Sequence, residues 1–186
     1  MTDIRKLIHA SALVVPILTE VTSRTIILVA LCTVVAVYSL EEALRLKGRP
    51  LPLITTFTLR MSRPQETTHF VVRPVYLAVG IILALLLFPP KIADASIVIV
   101  AVGDPVAAYV GGKIGRRHIR ANKTVEGSIA GLVASFLLAA IIVYPLVALA
   151  GAAGAMLMEL VDRPDDNLTM PIAAGALMLL MTVLSP

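Results

Sequence analysis

Residues 92–112 read IADASIVIVAVGDPVAAYVGG in one-letter code, and this stretch decides the fold. Apart from two aspartates it is apolar, and it is long enough to cross a bilayer, since about 20 residues of helix span the ~30 Å hydrocarbon core. It therefore predicts a membrane-spanning helix. The other segments of the chain are therefore compared with what a membrane protein requires.

Six further apolar stretches flank this one along the chain. The 186 residues are 58% hydrophobic and 15% charged, so a soluble globular domain is excluded, because its interior could not bury so much apolar surface. We expect an all-α fold, a polytopic membrane bundle of about seven transmembrane helices in a single domain, residues 1–186. The other six stretches are Leu7 to Leu18, Thr25 to Leu40, Val75 to Phe88, Ser128 to Tyr144, Pro145 to Val161 and Leu168 to Leu184.

The basic residues set the expected orientation. With the N-terminus inside, every Lys and Arg except Arg24 and Lys91 falls in an inward segment, so the positive-inside rule predicts an N-in, C-out protein. The net charge of +4 is then explained by topology, and no nucleic acid is expected as a partner. The polar stretch from Glu41 to Arg73 would be a cytoplasmic loop with a short interfacial helix.

The single cysteine, Cys32, is expected to be a small buried hydrophobe.

Asp104 is the acidic group that stands out within a predicted span. Insertion of such a charge costs about 2.5–3.5 kcal/mol, so it marks a functional site by default. Gly103 permits a break and Pro105 suits a first helical position, which predicts a fourth span broken here with Asp104 as the N-cap of a half-helix. Lys113 lies about 13 Å further along such a helix, so the site would be reached from the cytoplasmic face. The alternative is an aspartate that only caps a kinked helix.

A glycine-rich, basic segment follows from Gly111 to Ser128. Its backbone donors, its cations and a helix start at Asn122 or Thr124 would suit a triphosphate, although the spacing is not that of a Walker A loop. Glu126 adds an acid at the head of the next helix. The plainer interpretation is a loop whose charges only set topology.

Three smaller patterns complete the candidate residues. At the border of the last two spans lie Glu159, Asp162, Asp165, Asp166 and Asn167, where two adjacent carboxylates and an amide oxygen suit Mg²⁺, although Asp166 or Asn167 would equally serve as a helix cap. His9 lies on one helix face with Arg5 and Lys6. The small residues Gly127, Gly131 and Ser135 form a face that favours close helix packing.

Taken together, these motifs resemble the signature of the CTP-dependent lipid-alcohol kinases, which include dolichol kinase, phytol kinase and CTP-dependent diacylglycerol kinase. The resemblance covers nearly the whole chain in order, and Pro105 stands where many relatives carry another residue. An Arg63 to Glu66 element resembles the family with less specificity. The matching pieces are Arg5-Lys-Leu-Ile-His9, Gly103-Asp-Pro-Val-Ala-Ala-Tyr-Val-Gly-Gly-Lys-Ile-Gly115, Lys123-Thr-Val-Glu-Gly-Ser-Ile-Ala-Gly131, and Glu159 with Asp165-Asp-Asn-Leu-Thr-Met-Pro171.

The resemblance implies transfer of the γ-phosphoryl group of CTP to a membrane lipid alcohol, with Mg²⁺ as cofactor and the active site facing the cytoplasm. Dolichol or another polyprenol is the expected acceptor, with phytol or diacylglycerol as alternatives. Asp104 is assigned either to the metal or to the proton of the acceptor hydroxyl. The expected catalytic residues are Asp104, Glu126, Lys123 and His9; the nucleotide site is Gly103, Gly111, Gly112, Lys113, Gly115, Arg116, Arg117, Lys123 and Gly127; and the metal ligands are Asp104, Asp166, Asn167 and Glu159.

Two other functions stay open at this point. A CTP:lipid-phosphate cytidylyltransferase would leave CMP on the lipid, but its C-terminal Lys-Asp and His-Gly-Gly pattern is not found in this sequence. A small transporter would use a broken helix and intramembrane acids in a similar way, but it would move solute without consuming nucleotide.

Overall fold

The computed structural model describes residues 8–61, 67–120, 123–161 and 165–184, and gives only the backbone at 53, 57 and 61. The described chain is a bundle of helices with one two-stranded antiparallel hairpin. Several candidate residues lie outside the described part: Arg5, Lys6, Arg63 to Glu66, and Asn122. The elements are α1 Val14–Val21, α2 Arg24–Leu46, α3 Pro52–Met61, α4 Arg73–Leu87, α5 Pro90–Ile114, β1 His118–Arg120, β2 Lys123–Thr124, α6 Val125–Ala139, α7 Pro145–Leu160 and α8 Asp166–Leu184.

Each apolar stretch of the sequence forms a helix, and α3 is the short extra helix expected between the second and third stretches. Prolines at the first positions of α4, α5 and α7 favour helix starts there, because the missing N–H would have no intrahelical partner.

The end of α2 differs from expectation, since the helix continues through Glu41 to Leu46. It ends where Gly48 adopts a φ of 73°, a conformation that favours glycine.

Helix α5 lies at the centre of the bundle and packs against α6, α7 and α8. Its segment from Ile92 to Ala101 is buried throughout, and Ile97 and Ile99 are among the largest fully buried side chains. The predicted break at Asp104 is wrong, because α5 runs without interruption from Pro90 to Ile114 and contains Pro105 in its interior. Proline removes only one backbone donor, and helices packed around α5 hold the chain helical on both sides of it.

Within the described residues, three helices are long and apolar enough to cross a membrane: α2, α5 and α8. Only 17% of the most apolar window of α2 is buried within the protein, compared with 50% for α5. Cys32 on α2 is exposed, so the expectation of a buried cysteine is wrong. Helices α4, α6 and α7 are apolar but shorter. The count of seven spans stays a prediction.

The two ends of the bundle carry different polar contacts. At one end, Thr19 Oγ1 donates to Asp94 Oδ1 at 3.0 Å, and Arg24 Nη2 donates to the carbonyl of Phe88 at 2.9 Å. These bonds join α1 to α5 and α2 to the end of α4. The opposite end holds the ionisable side chains described in the next subsection.

The small-residue face of α6 packs directly on α5, as predicted. A Cβ atom added at Gly131 would lie 2.7 Å from the carbonyl oxygen of Gly103 and 2.9 Å from Met156 Sδ, so no larger side chain fits without movement of backbone. Ser135, one turn further on, is fully buried and donates to the carbonyl of Gly131 at 2.7 Å. The close approach of Gly131 to Gly103 fixes α6 on α5 next to Asp104.

Substitution of Gly131 tests this packing. We expect Gly131→Ala to lower the free energy of unfolding in detergent by about 1–3 kcal/mol, because the added methyl group overpacks the interface. Gly112→Ala is the matched control, since nothing lies within 4 Å of a Cβ at Gly112. Its stability should be unchanged or raised, because alanine favours helix. Equal losses in both variants, measured by thermal unfolding, would contradict the close contact.

Candidate active site

Asp104 lies on α5 and faces ionisable groups from several other elements. The Nε2 atom of His9 is 3.5 Å from Asp104 Oδ2, and the side chains of these residues are 9% and 15% exposed. The charges that act most strongly on Asp104 belong to His9, Asp166, Lys123 and Arg73. Four candidate residues of the sequence are therefore brought to one place: His9, Asp104, Lys123 and Asp166.

Lys123 links the last two helices of the bundle. Its Nζ atom is 2.9 Å from Asp166 Oδ2 and 3.2 Å from Glu159 Oε1, and it also donates to the backbone carbonyl of Glu159. Burial opposes the charge of the ammonium group, but the two carboxylates outweigh it and raise the pKa of Lys123. Ser128 Oγ donates to Glu159 Oε2 at 3.2 Å. Lys123 is thus a charged crosslink at the start of α6.

The start of α8 is capped by its own acids. Asp165 Oδ1 accepts from the backbone N of Asn167 at 3.0 Å and from its Nδ2 at 2.8 Å, and Asp166 Oδ1 accepts from the same backbone N at 3.0 Å. Asp165, rather than Asp166 or Asn167, therefore caps the helix, while Asp166 Oδ2 remains directed at Lys123. Burial is the main reason that the pKa of Asp165 is raised, and the charge of Asp166 adds to it.

The side chain of Glu126 bonds to the basic segment before the β1–β2 hairpin rather than to the ionisable residues around Asp104. Its carboxylate accepts from the backbone N of Arg116 at 3.2 Å and of Arg117 at 3.3 Å. Thr124 caps α6 by accepting from the N of Gly127 at 3.1 Å, which selects one of the two predicted helix starts. Two of the loop amides expected to bind a polyanion, those of Arg116 and Arg117, are therefore already bonded to a side chain of this protein.

Comparison with models of protein families, with curated proteins and with solved structures found no match. The function of the chain is therefore inferred from the chemistry of its own residues.

The glycines expected at a nucleotide mostly pack helices together. A Cβ at Gly127 would be 2.5 Å from the carbonyl oxygen of Ala107, one at Gly103 would be 2.8 Å from Met156 Cε, and one at Gly111 would be 2.7 Å from Thr124 Oγ1. Gly115 is crowded by the Gly111 carbonyl and by Thr124, and its N donates to that carbonyl. Among the five candidate glycines, only Gly112 has open space at the position of a Cβ.

The expected phosphate-binding cations divide into two groups. Lys113, Arg116 and Arg117 are exposed, and Lys113 Nζ lies 4.6 Å above the ring of Tyr109. They are not among the charges that act most strongly on Asp104. The charge of Lys123 does act on Asp104. Of the four predicted cations, Lys123 contacts Glu159 and Asp166, while Lys113 in the last turn of α5 and Arg116 and Arg117 after it are exposed.

The carboxylates near Asp104 do not form a complete site for a divalent cation by themselves. They fit a cation that is bound to the phosphates of a larger ligand. Among the described residues, no group of three His, Cys, Asp or Glu side chains is placed to hold a metal ion. Glu159 is bonded to Lys123 and Ser128, and Asn167 to the cap of α8. Asp104 and Asp166 are hard oxygen donors at one end of the bundle, and Mg²⁺ in phosphate sites commonly takes one or two carboxylates and completes its shell with phosphate and water.

Sequence reasoning missed two features of this end of the bundle. Arg73 was counted only for topology, although it acts on Asp104 and Asp166; its position directly before an apolar stretch was an available signal. Glu41 and Glu42 were assigned to a loop, yet both are fully buried on α2. The spacing of Glu42 and Arg45 is that of a helical ion pair and would have indicated a longer helix.

Proposed function

We propose that this protein is an integral membrane kinase that transfers the γ-phosphoryl group of CTP to the hydroxyl of a lipid alcohol. The observation that carries the proposal is the convergence of Asp104, Lys123 and Asp166, from three separate elements, at one end of an apolar bundle. An anionic nucleotide needs a cation and metal-binding carboxylates in one place, and phosphoryl transfer depends chiefly on position and charge.

The proposed orientation puts this end in the cytoplasm. His9, Arg73 and Asp166 precede or begin their helices, whereas Asp104 and Glu159 lie towards the ends of theirs, as expected for helices that alternate in direction. Together with the positive-inside rule, this alternation supports an N-in, C-out protein of seven spans. CTP would then reach the site from the cytosol.

Each residue has a proposed task. The acceptor oxygen attacks the γ-phosphorus, the bond from that phosphorus to the β-phosphate oxygen breaks, CDP leaves, and the hydroxyl proton passes to a carboxylate, for which Asp104 is the candidate. Lys123 offsets negative charge on the phosphates and keeps Asp166 and Glu159 together. Asp104 is assigned either to that proton or, with Asp166, to Mg²⁺, which when bound would offset charge on the phosphate oxygens.

The acceptor is proposed to be a lipid because the site lies at the end of helices with apolar outer surfaces. Val21, Ile141 and Val183 are each more than 70% exposed within the protein, so hydrocarbon would surround the bundle. A lipid alcohol can then present its hydroxyl at the border of the membrane while its tail stays in the bilayer. Dolichol or another polyprenol is the proposed acceptor.

A labelling experiment tests the proposal. Purified protein in detergent is given Mg²⁺ and CTP labelled at either the α- or the γ-phosphate, with dolichol, a shorter polyprenol, phytol or diacylglycerol in turn. We expect γ label in the lipid, identified by mass as a monophosphate, and no activity in a chelator. Parallel reactions with ATP, GTP and UTP test the choice of nucleotide.

Two other outcomes would contradict the proposal that the protein is a kinase. Transfer of α label would indicate a cytidylyltransferase. Transport of solute into vesicles without nucleotide consumption, together with no labelled lipid from any acceptor, would indicate a transporter.

A further inference from the structure

The last two turns of α2 hold the chain segment that leads into α4. Arg45 Nη1 donates to the carbonyl of Thr67 at 2.6 Å, and its Nη2 donates to the carbonyl of His69 at 2.7 Å. Glu42 Oε2 accepts from the backbone N of Val71 at 2.8 Å. Two side chains of one helix therefore fix three backbone groups of this segment.

The two side chains also bind each other. Arg45 Nε is 2.7 Å from Glu42 Oε1, and Arg45 Nη2 is 2.9 Å from Glu42 Oε2, with side chains 9% and 0% exposed. Tyr38 OH donates to the carbonyl of Val71 at 2.9 Å, so both backbone groups of Val71 are held. A buried ion pair adds little net stability, because desolvation offsets its attraction, but its hydrogen bonds define one geometry.

The segment held in this way ends at Arg73, the first residue of α4. Gly80, two turns further along α4, lies against the start of α8, since a Cβ there would be 2.6 Å from the carbonyl oxygen of Asn167. The middle of α4 therefore lies beside the start of α8, and Arg73 precedes that contact by seven residues. The charge of Arg73 acts on both of these carboxylates and on Asp104.

We propose that Arg73 binds the phosphates of the anionic substrate, and that Glu42 and Arg45 are positioning residues that set the place of Arg73. The assignment of those phosphates to a nucleoside triphosphate rests on the proposed function. Lys123 brings a single positive charge to this acidic end, whereas a polyphosphate carries several negative charges, so a second cation would stabilise the bound anion. A guanidinium group offers paired donors that match phosphate oxygens.

Binding of inorganic tripolyphosphate with Mg²⁺, measured by calorimetry on the full chain in detergent, tests the proposal without requiring turnover. Arg73→Gln should weaken binding about tenfold or more, as expected for loss of a charged hydrogen bond. Arg49→Gln is the matched control, because Arg49 is exposed in the same polar region, and its affinity should stay within about twofold of the wild type.

A double-mutant cycle separates positioning from stability. Glu42→Gln should weaken tripolyphosphate binding, and the double variant E42Q/R73Q should bind no more weakly than R73Q, because both changes remove the same interaction. If Glu42 had only a structural role, Glu42→Gln would lower the unfolding temperature and leave the affinity unchanged, which would overturn the positioning role.

The outcomes distinguish this proposal from the proposed function. Unchanged affinity in R73Q, or a wild-type protein that binds no tripolyphosphate, overturns the role of Arg73. Weaker binding in R73Q supports that role even if the wild-type protein phosphorylates no alcohol, a result that would remove the kinase proposal alone. If the wild-type protein forms labelled lipid but R73Q binds tripolyphosphate normally, the kinase proposal is kept and the role of Arg73 is overturned.

Discussion

Asp104→Asn should lower lipid kinase activity by on the order of 100-fold or more, as expected when a preorganised charge at the reacting group is removed. The amide keeps the shape of the side chain but can neither hold a metal ion as strongly nor accept a proton. Initial rates with γ-labelled CTP and a polyprenol, together with the unfolding temperature in detergent, measure the effect. The fold should persist, because α5 is buried from Ile92 to Ala101 and again at Gly103 and Ala107.

Asp94→Asn is the control for that variant. Asp94 lies on the same helix and is also buried, but it accepts from Thr19 at the opposite end of the bundle. We expect it to keep most of the activity. Near-normal turnover in Asp104→Asn, or an equal loss in both variants, would remove Asp104 from the proposed mechanism.

Lys123→Met should abolish activity and also lower the free energy of unfolding by about 3 kcal/mol, since it leaves Glu159 and Asp166 without the cation that holds them. Combining it with Asp166→Asn removes one of the uncompensated charges. The double variant should therefore regain part of the stability but none of the activity. Thermal unfolding and labelled-lipid formation, measured on the same preparations, separate the two effects.

The outcome that contradicts this prediction is specific. If Lys123→Met unfolds at the wild-type temperature, the crosslink between α7 and α8 is not needed for the bundle. If the double variant regains activity along with stability, Lys123 acts only as a structural residue and the phosphate role proposed for it is wrong.

The helical framework could be predicted because apolar length is a strong local signal. The apolar stretches became helices, and the packing face of Gly131 was read correctly from the spacing of small residues. The break at Gly103 to Pro105 could not be judged from sequence, because whether a proline interrupts a helix depends on the neighbours that pack around it.

The acidic cluster was only partly predictable. Motifs placed Asp104, Lys123 and Asp166 among the candidates, but nothing local tells which cation turns inward. Arg116 and Arg117 are exposed, and their amides bond to Glu126, a contact decided by loop geometry. The tether that holds the segment before Arg73 to α2 joins residues far apart in sequence, so no local pattern indicates it.

In the proposed seven-span topology, the shortness of two helices would affect the membrane itself. Helices α4 and α6 have 15 residues each and rise only about 22 Å, well below the ~30 Å of a typical hydrocarbon core. In a bilayer, lipid beside these helices has to compress or the helices have to borrow polar flanks. Compression would draw the headgroup plane inward around the bundle. Small alcohol headgroups would then sit nearer to Asp104 than an undistorted leaflet allows.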